Sequence, residues 1–270
     1  MIFGSLKKKQ LPVRLPDGER IIAIGDLHGQ LPRLKSVLKN LRAYRKKNPA
    51  AFETIIFLGD YVDRGLQSAQ LIDYLIAFRE KATNAGARVH FLKGNHEVLL
   101  LNALADPEAD AKVWIRNGGL ETVASYLNGG IKTPSKGTDL KATLHEFQTA
   151  VPPAHRDFFK SLELFQKQGP FIFVHAGIRM ERKMKDQKEA DLLWIRGPFL
   201  DWSGPRQKRI VVHGHSITNR FEPELYPHRL AIDTGSYLKK GRITAAIFEK
   251  DMVRFVQNAP GAEFSDSPFS

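Results

Sequence analysis

Apolar and polar positions change period along the first hundred residues, which predicts strands and helices in turn. The apolar run 21–24 predicts a buried strand. Leu31, Leu34, Leu38 and Leu41 then recur at helical spacing, and Asn48-Pro49 predicts the end of that helix. A second apolar run, 54–58, predicts the next strand. Leu71, Ile72, Leu75 and Ile76 mark a second helix, stopped near Asn84-Ala85-Gly86, and 89–92 predicts a third strand. Strands joined by helices in this order are expected to run parallel, with any ligand site at their carboxyl ends.

Residues 98–168 read as mostly helical, with Pro152-Pro153 opening a helix that runs through Phe158, Leu162 and Phe165. This stretch is expected to form a cap or insertion beside the site. Strand signals return at 171–174, 210–212, 230–232 and 243–248. A strand-helix first half and a strand-rich second half predict an α/β fold: two sheets packed face to face, with helices outside. Residues 1–19 form a polar N-terminal arm in this scheme and 20–256 one domain. Residues 257–270, rich in Ser, Pro, Gly and Asp, form a flexible tail.

Three strings stand at the ends of the first three predicted strands: Gly25-Asp26-Leu27-His28-Gly29, Gly59-Asp60-Tyr61-Val62-Asp63-Arg64-Gly65 and Gly94-Asn95-His96-Glu97. Each places oxygen or imidazole donors where a buried strand emerges, and together they suit a divalent-metal centre. Two later strands also run into histidines, His175 and His213-Gly214-His215. Asp233-Thr234-Gly235 follows a strand as well and is read as a structural turn. His90, His145, His155 and His228 lack such context and are read as ordinary surface or core residues.

Composition narrows the chemistry. The chain has no cysteine, so disulfides and thiolate metal sites are excluded, which fits a reducing cytoplasm. Lys7 to Lys9 are followed by no apolar core of signal-peptide type, and no apolar run is long enough to span a bilayer. The expectation is a soluble cytoplasmic protein without a membrane partner. A formal charge of +12 suits anionic substrates. Its basic clusters, 42–47, 179–188 and 206–209, carry no interleaved aromatics, which argues against a dedicated nucleic-acid module.

The ordered motifs closely resemble the phosphoprotein phosphatase family of the calcineurin-like metallophosphoesterase superfamily. The resemblance extends to Phe173-Val174-His175-Ala176-Gly177 and Val212-His213-Gly214-His215-Ser216 and covers roughly residues 21–250. It implies a β-sandwich of two mixed sheets flanked by helices, built around two divalent ions. Asp26 and His28 would hold the first metal, Asp60 would bridge both, and Asn95, His175 and His215 would complete the second. With oxygen and imidazole donors, manganese stands first, with iron, zinc and cobalt as alternatives. By the same resemblance Arg64 and Arg196, the latter in Trp194-Ile195-Arg196-Gly197, would clamp the phosphate. His96 would protonate the leaving oxygen, with Asp63 orienting it, after in-line attack by a metal-bridging hydroxide. His213 is assigned to packing, and Glu97 to bracing the site from behind.

Departures from sister groups narrow the substrate. Ile217 stands where cyclic-nucleotide phosphodiesterases carry a second histidine. Asp63 is present where symmetrical diadenosine tetraphosphate hydrolases usually lack an aspartate. The short loops look like bacterial or phage relatives. The resemblance therefore implies a phosphomonoesterase whose partner is a phosphoprotein carrying phosphoserine or phosphothreonine, or a small phosphoester. The alternatives are diadenosine tetraphosphate hydrolysis and, in another class, a basic RNA-binding or scaffold protein without turnover. Trp114, Tyr126 and Trp202 are the aromatics that could stack an adenine.

Overall fold

The computed structural model describes residues 8–10, 13–106, 111–127, 139–205 and 209–258. Strand β1 (Lys8–Gln10) precedes β2 (Glu19–Ile24), α1 (Leu31–Lys47), β3 (Phe52–Phe57), α2 (Ser68–Asn84), β4 (Arg88–Phe91) and α3 (Asn95–Ala105). The pairs β2/β3 and β3/β4 are parallel, as the alternating pattern predicts. Helix α1 buries Leu31, Leu34, Val37, Leu41 and Tyr44 on one face. Its last turn carries Arg45, Lys46 and Lys47, whose charge suits a helix C-terminus.

Helices α4 (Ala111–Trp114), α5 (Leu120–Leu127), α6 (Leu140–Ala150) and α7 (Pro153–Lys160) follow, with a kinked turn (Ile115–Gly119) between α4 and α5. The helix opened at Pro153 does not reach Phe165. Residues Phe165–Gln168 form strand β5, paired antiparallel with β6 (Phe171–Val174) across the Gly169-Pro170 turn. The reason is local. Proline cannot continue the hydrogen-bond ladder, and Gly169 turns the chain at φ 54°.

After α8 (Glu189–Trp194) and α9 (Gly197–Leu200) come β7 (Ile210–His213), β8 (Glu224–Leu225), β9 (Arg229–Ala231), β10 (Thr244–Glu249) and β11 (Met252–Gln257). One sheet has the order β1-β11-β10-β2-β3-β4, the other β5-β6-β7-β9-β8, and both mix parallel and antiparallel pairs. Alternate residues along each strand face opposite layers. Ile21, Ala23, Ile56, Leu58, Phe171, Phe173, Val212 and Phe248 fill the space between the sheets. Ile22, Ile24, Ile55 and Phe57 face α1 to α7, while Ile172, Val174 and Val211 face α8 and α9. Helix, sheet, sheet and helix thus form four layers, the fold class expected.

Two boundaries need correction. The described residues before β2 pack on the domain rather than standing apart as an arm. Lys8–Gln10 pairs with β11, and Leu15 is buried between the sheets because an apolar side chain there removes surface from water. At the other end Gln257 is paired in β11, and the Asn258 side chain accepts the Ile243 N–H at 2.8 Å. The remainder of the predicted tail, 259–270, lies outside the described residues, as do Lys7, Arg206 and Lys208 of the basic clusters.

Candidate metal centre

Asp26 and His28 follow β2, Asp60 follows β3, Asn95 opens α3 after β4, and His175 and His215 follow β6 and β7. Parallel strands of both sheets end at the same place, so residues up to 189 positions apart converge there. The chain turns sharply to present them. His28, Asp60, Asp63, Arg64 and His215 all have φ between 43° and 72°, a left-handed conformation that costs non-glycine residues energy and clusters at functional sites. Gly94 is required by close approach, since any side chain there would collide with the Asp60 carboxylate.

Glu97 holds this turn from behind. Its Oε2 accepts the N–H groups of Asp60 and Gly94, both at 2.9 Å, and its Oε1 those of Tyr61 and Val62 at 2.7 and 3.3 Å. Burial and the charge of Asp60 push this carboxyl up to about 8, against the pull of the N–H bonds.

Asp60 stands between two groups of donors. Its Oδ2 lies 3.7 Å from His28 Nε2 and 4.0 Å from His96 Nε2, and its Oδ1 lies 3.5 Å from His175 Nε2. His28 and His175 each direct Nδ1 at a backbone carbonyl, of Val62 and Leu58 respectively, both at 2.9 Å. Donation there leaves both Nε2 lone pairs facing the cluster, the outer-shell arrangement of metal-binding imidazoles. Burial lowers His175 and holds His28 at about 3 and His215 at about 2, so all three imidazoles are neutral, the form that can donate to a metal.

Asn95 Oδ1 is 2.9 Å from both His175 Nε2 and His215 Nδ1. With His175 neutral and its proton on Nδ1, two electron-rich atoms face each other, and a cation between them resolves the conflict. His28, Asp60 and His96 form one close group, in which His96, raised to about 9, is the proton-bearing member rather than a donor, and Asp60, His175 and His215 form another. Asp60 belongs to both. The donor set therefore fits two divalent ions sharing one carboxylate.

The remaining predicted residues are also gathered here. His96 Nδ1 lies 2.6 Å from Asp63 Oδ2. Burial pulls His96 down, but Asp60 and Asp63 outweigh it and lift the imidazole to about 9. Arg64 donates to the Tyr237 hydroxyl at 2.6 Å and stacks on its ring at 4.4 Å. Arg196 donates to the His215 carbonyl at 3.3 Å, beside the second donor group. His213 is buried and turned aside, with Arg229 3.5 Å from its Nε2 and Phe199 against its ring.

Four neighbours of the site escaped the sequence. Asp233 is more than a turn former. It caps its own turn by accepting the Gly235 N–H at 3.0 Å, but it is buried against Asp26, and burial raises it to about 6. Its place after the apolar run 230–232, like that of the motif aspartates, was the available signal. Trp114 is fully buried, so it offers no face to an adenine, and its indole N–H donates to Asp63 at 2.9 and 3.0 Å. Tyr126 packs against the core, its ring edge-on to those of Phe147 and His155 and its hydroxyl 2.8 Å from His155. Thr122 and Tyr237 reach the site from distant segments and carried no motif.

Comparison with known proteins follows the geometry. The calcineurin-like phosphoesterase family model matches residues 19–248. Shewanella-like protein phosphatase 2 of Arabidopsis thaliana is 29% identical over 225 residues, 72% of this chain and 56% of the plant protein. The chain thus spans little more than half of that relative. The PP2A-like serine/threonine-protein phosphatase PPG1 of Saccharomyces cerevisiae is 36% identical over 77 residues, 28% of this chain and 18% of the yeast protein. Among solved structures, one described as a candidate diadenosine tetraphosphatase superposes with TM-score 0.57 at 20% identity, covering 94% of this chain and 100% of that one. A cold-active protein tyrosine phosphatase gives 0.58 at 17% identity, covering 96% and 84%. These two likenesses concern the fold alone. Among the described residues no helix is long and apolar enough to cross a membrane. The chain belongs to the calcineurin-like phosphoesterase family, and the resemblance to its phosphoprotein phosphatase branch drawn from the motifs is borne out.

Proposed function

We propose that this protein is a metal-dependent phosphomonoesterase acting on phosphoserine and phosphothreonine in proteins. The observation that carries the reading is the Asp63–His96 pair, 2.6 Å apart and buried beside Asp60. An alkoxide is a poor leaving group and needs a proton as its bond to phosphorus breaks. His96 holds such a proton on Nε2, while Asp63 fixes Nδ1 and the ring's orientation. Arg64 and Arg196 offer forked donors that match phosphate oxygens.

Two divalent cations, manganese first among the candidates, would be held by Asp26, His28 and Asp60 and by Asp60, Asn95, His175 and His215. When bound they supply Lewis-acid polarisation of the phosphoryl group and a lowered pKa for water. The cysteine-free composition supports a reducing, cytoplasmic setting for this chemistry.

One observation favours diadenosine tetraphosphate as a second reading. Trp194 is 41% exposed, with its ring edge-on to that of His215 at 6.3 Å, and so offers a base a face at the site. The test is kcat/KM for phosphoserine and phosphothreonine peptides and for diadenosine tetraphosphate under one metal condition. Higher efficiency on the peptides is expected. Preference for the dinucleotide, with symmetrical products, would replace the first reading by the second.

A further inference from the structure

Asp63 and Arg64 are consecutive residues with φ of 72° and 66°. Each such conformation costs on the order of 1–3 kcal/mol and persists only when the surroundings over-determine it. The restraints come mainly from one place, the helical unit at 111–127 inside the predicted insertion. The Thr122 hydroxyl accepts the Asp63 N–H at 2.8 Å and donates to Asp63 Oδ1 at 2.7 Å, so one group grips both backbone and carboxylate. The Trp114 indole N–H lies between the two carboxylate oxygens. Arg64 N–H donates to the Gly118 carbonyl at 3.0 Å, and Gly118 can sit there because its φ is 95° and it has no side chain. A Cβ on Gly118 would come within 2.7 Å of Arg64 Cγ.

These contacts share a design. The kinked turn Ile115–Gly119, where Gly118 leaves helical φ/ψ, joins the helix that ends at Trp114 to the one that carries Thr122, so both side chains reach the Asp63 carboxylate. After Trp114 and Thr122 have bonded the carboxylate, the side of Oδ2 that remains is the one occupied by His96 Nδ1. Ser68 Oγ, 3.2 Å from the Asp63 N–H, completes the set.

We infer that Trp114 and Thr122 are positioning residues of the reaction: they fix the plane of the Asp63 carboxylate, and through it the direction in which His96 Nε2 points at the leaving oxygen. This rests on the phosphomonoesterase reading, but not on which phosphomonoester is the natural substrate. Removing either group leaves His96 and Asp63 in place and misaims the proton. The loss should therefore fall on substrates that need the proton and spare those that do not.

The test uses the full, metal-loaded chain and a series of substituted phenyl phosphates, from p-nitrophenyl to phenols of poor leaving ability, with phosphoserine peptide at the far end. Thr122→Val keeps the shape and removes the hydroxyl, and Thr122→Ser restores it. Trp114→Phe removes the indole donor independently. For Thr122→Val and Trp114→Phe, kcat should fall about 10-fold or more for the poorest leaving groups and less than about threefold for p-nitrophenyl phosphate, with KM little changed. Thr122→Ser should follow wild type across the series. Melting temperature and metal content, read on the same samples, separate misfolding from misaiming. Equal losses across all leaving groups in folded, metal-replete variants would overturn the positioning role, as would full kcat on the poorest ones. Wild-type failure on phosphoserine alongside normal aryl turnover would instead strike the proposed substrate and leave the comparison of slopes standing.

Discussion

Replacing Glu97 by glutamine tests whether the second motif is held from behind by one carboxylate. Four backbone N–H groups, of Asp60, Tyr61, Val62 and Gly94, converge on its two oxygens. A glutamine carbonyl can serve one pair of them. Its NH2 group then faces the other pair, donor against donor. Two buried N–H groups lose their partners at about 1–3 kcal/mol each, or about 4 kcal/mol together in the middle of that range. For a domain of this size that is about 8–16 °C in melting temperature.

Against this stands the cost of burying the carboxylate, which with the charge of Asp60 raises it to about 8. Bound cations offset the Asp60 charge and favour the ionised form. The destabilisation should therefore be larger in the metal-loaded protein than after chelation. Misplacing Asp60 should also weaken metal binding about 10- to 100-fold, as loss of an outer-shell partner commonly does. Calorimetric melting with and without chelator, together with elemental analysis, decides the matter. A drop below about 2 °C in the metal-loaded variant, with full metal content, would refute the bracing role.

Three further outcomes follow from the same geometry. His215→Ala should lower metal content and turnover together, whereas His213→Ala, which loses contacts to Phe199 and Arg229, should lower the melting temperature and leave metal stoichiometry unchanged; metal titration of both variants checks this. Arg64→Ala should reduce kcat/KM about 100-fold for aryl and alkyl phosphates alike, since the proposed clamp would act on the transferred phosphoryl group, and steady-state kinetics on both substrates reads it. Gly118→Ala forces a side chain into a φ of 95° and against Arg64, so it should act as a milder Arg64→Ala with a melting point lowered by a few degrees, measured in the same two assays.

The first three strands and the polar strings at their ends were legible in the sequence because each is a local event. An apolar run, a glycine and a short polar string suffice to write a strand and the sharp turn at its end, and the same grammar places Asp26, Asp60, Asn95, His175 and His215. The hairpin at Gly169-Pro170 was also written locally, but the preceding Leu162 and Phe165 fall at helical spacing and masked it. Strand β1 and the burial of Leu15 depend on partners more than two hundred residues away, and no local period encodes them.

The environment of the reacting groups belongs wholly to the tertiary structure. Trp114 reads as an aromatic in a variable helix and Thr122 as one more polar residue, yet both end on Asp63, 51 and 59 positions earlier in the chain. Tyr237 meets Arg64 across 173 positions. A ligand's identity is set by its own chemistry and can be read from the chain. The direction in which a buried carboxylate or imidazole points is set by hydrogen bonds from whatever the fold packs against it, and only packing decides what that is.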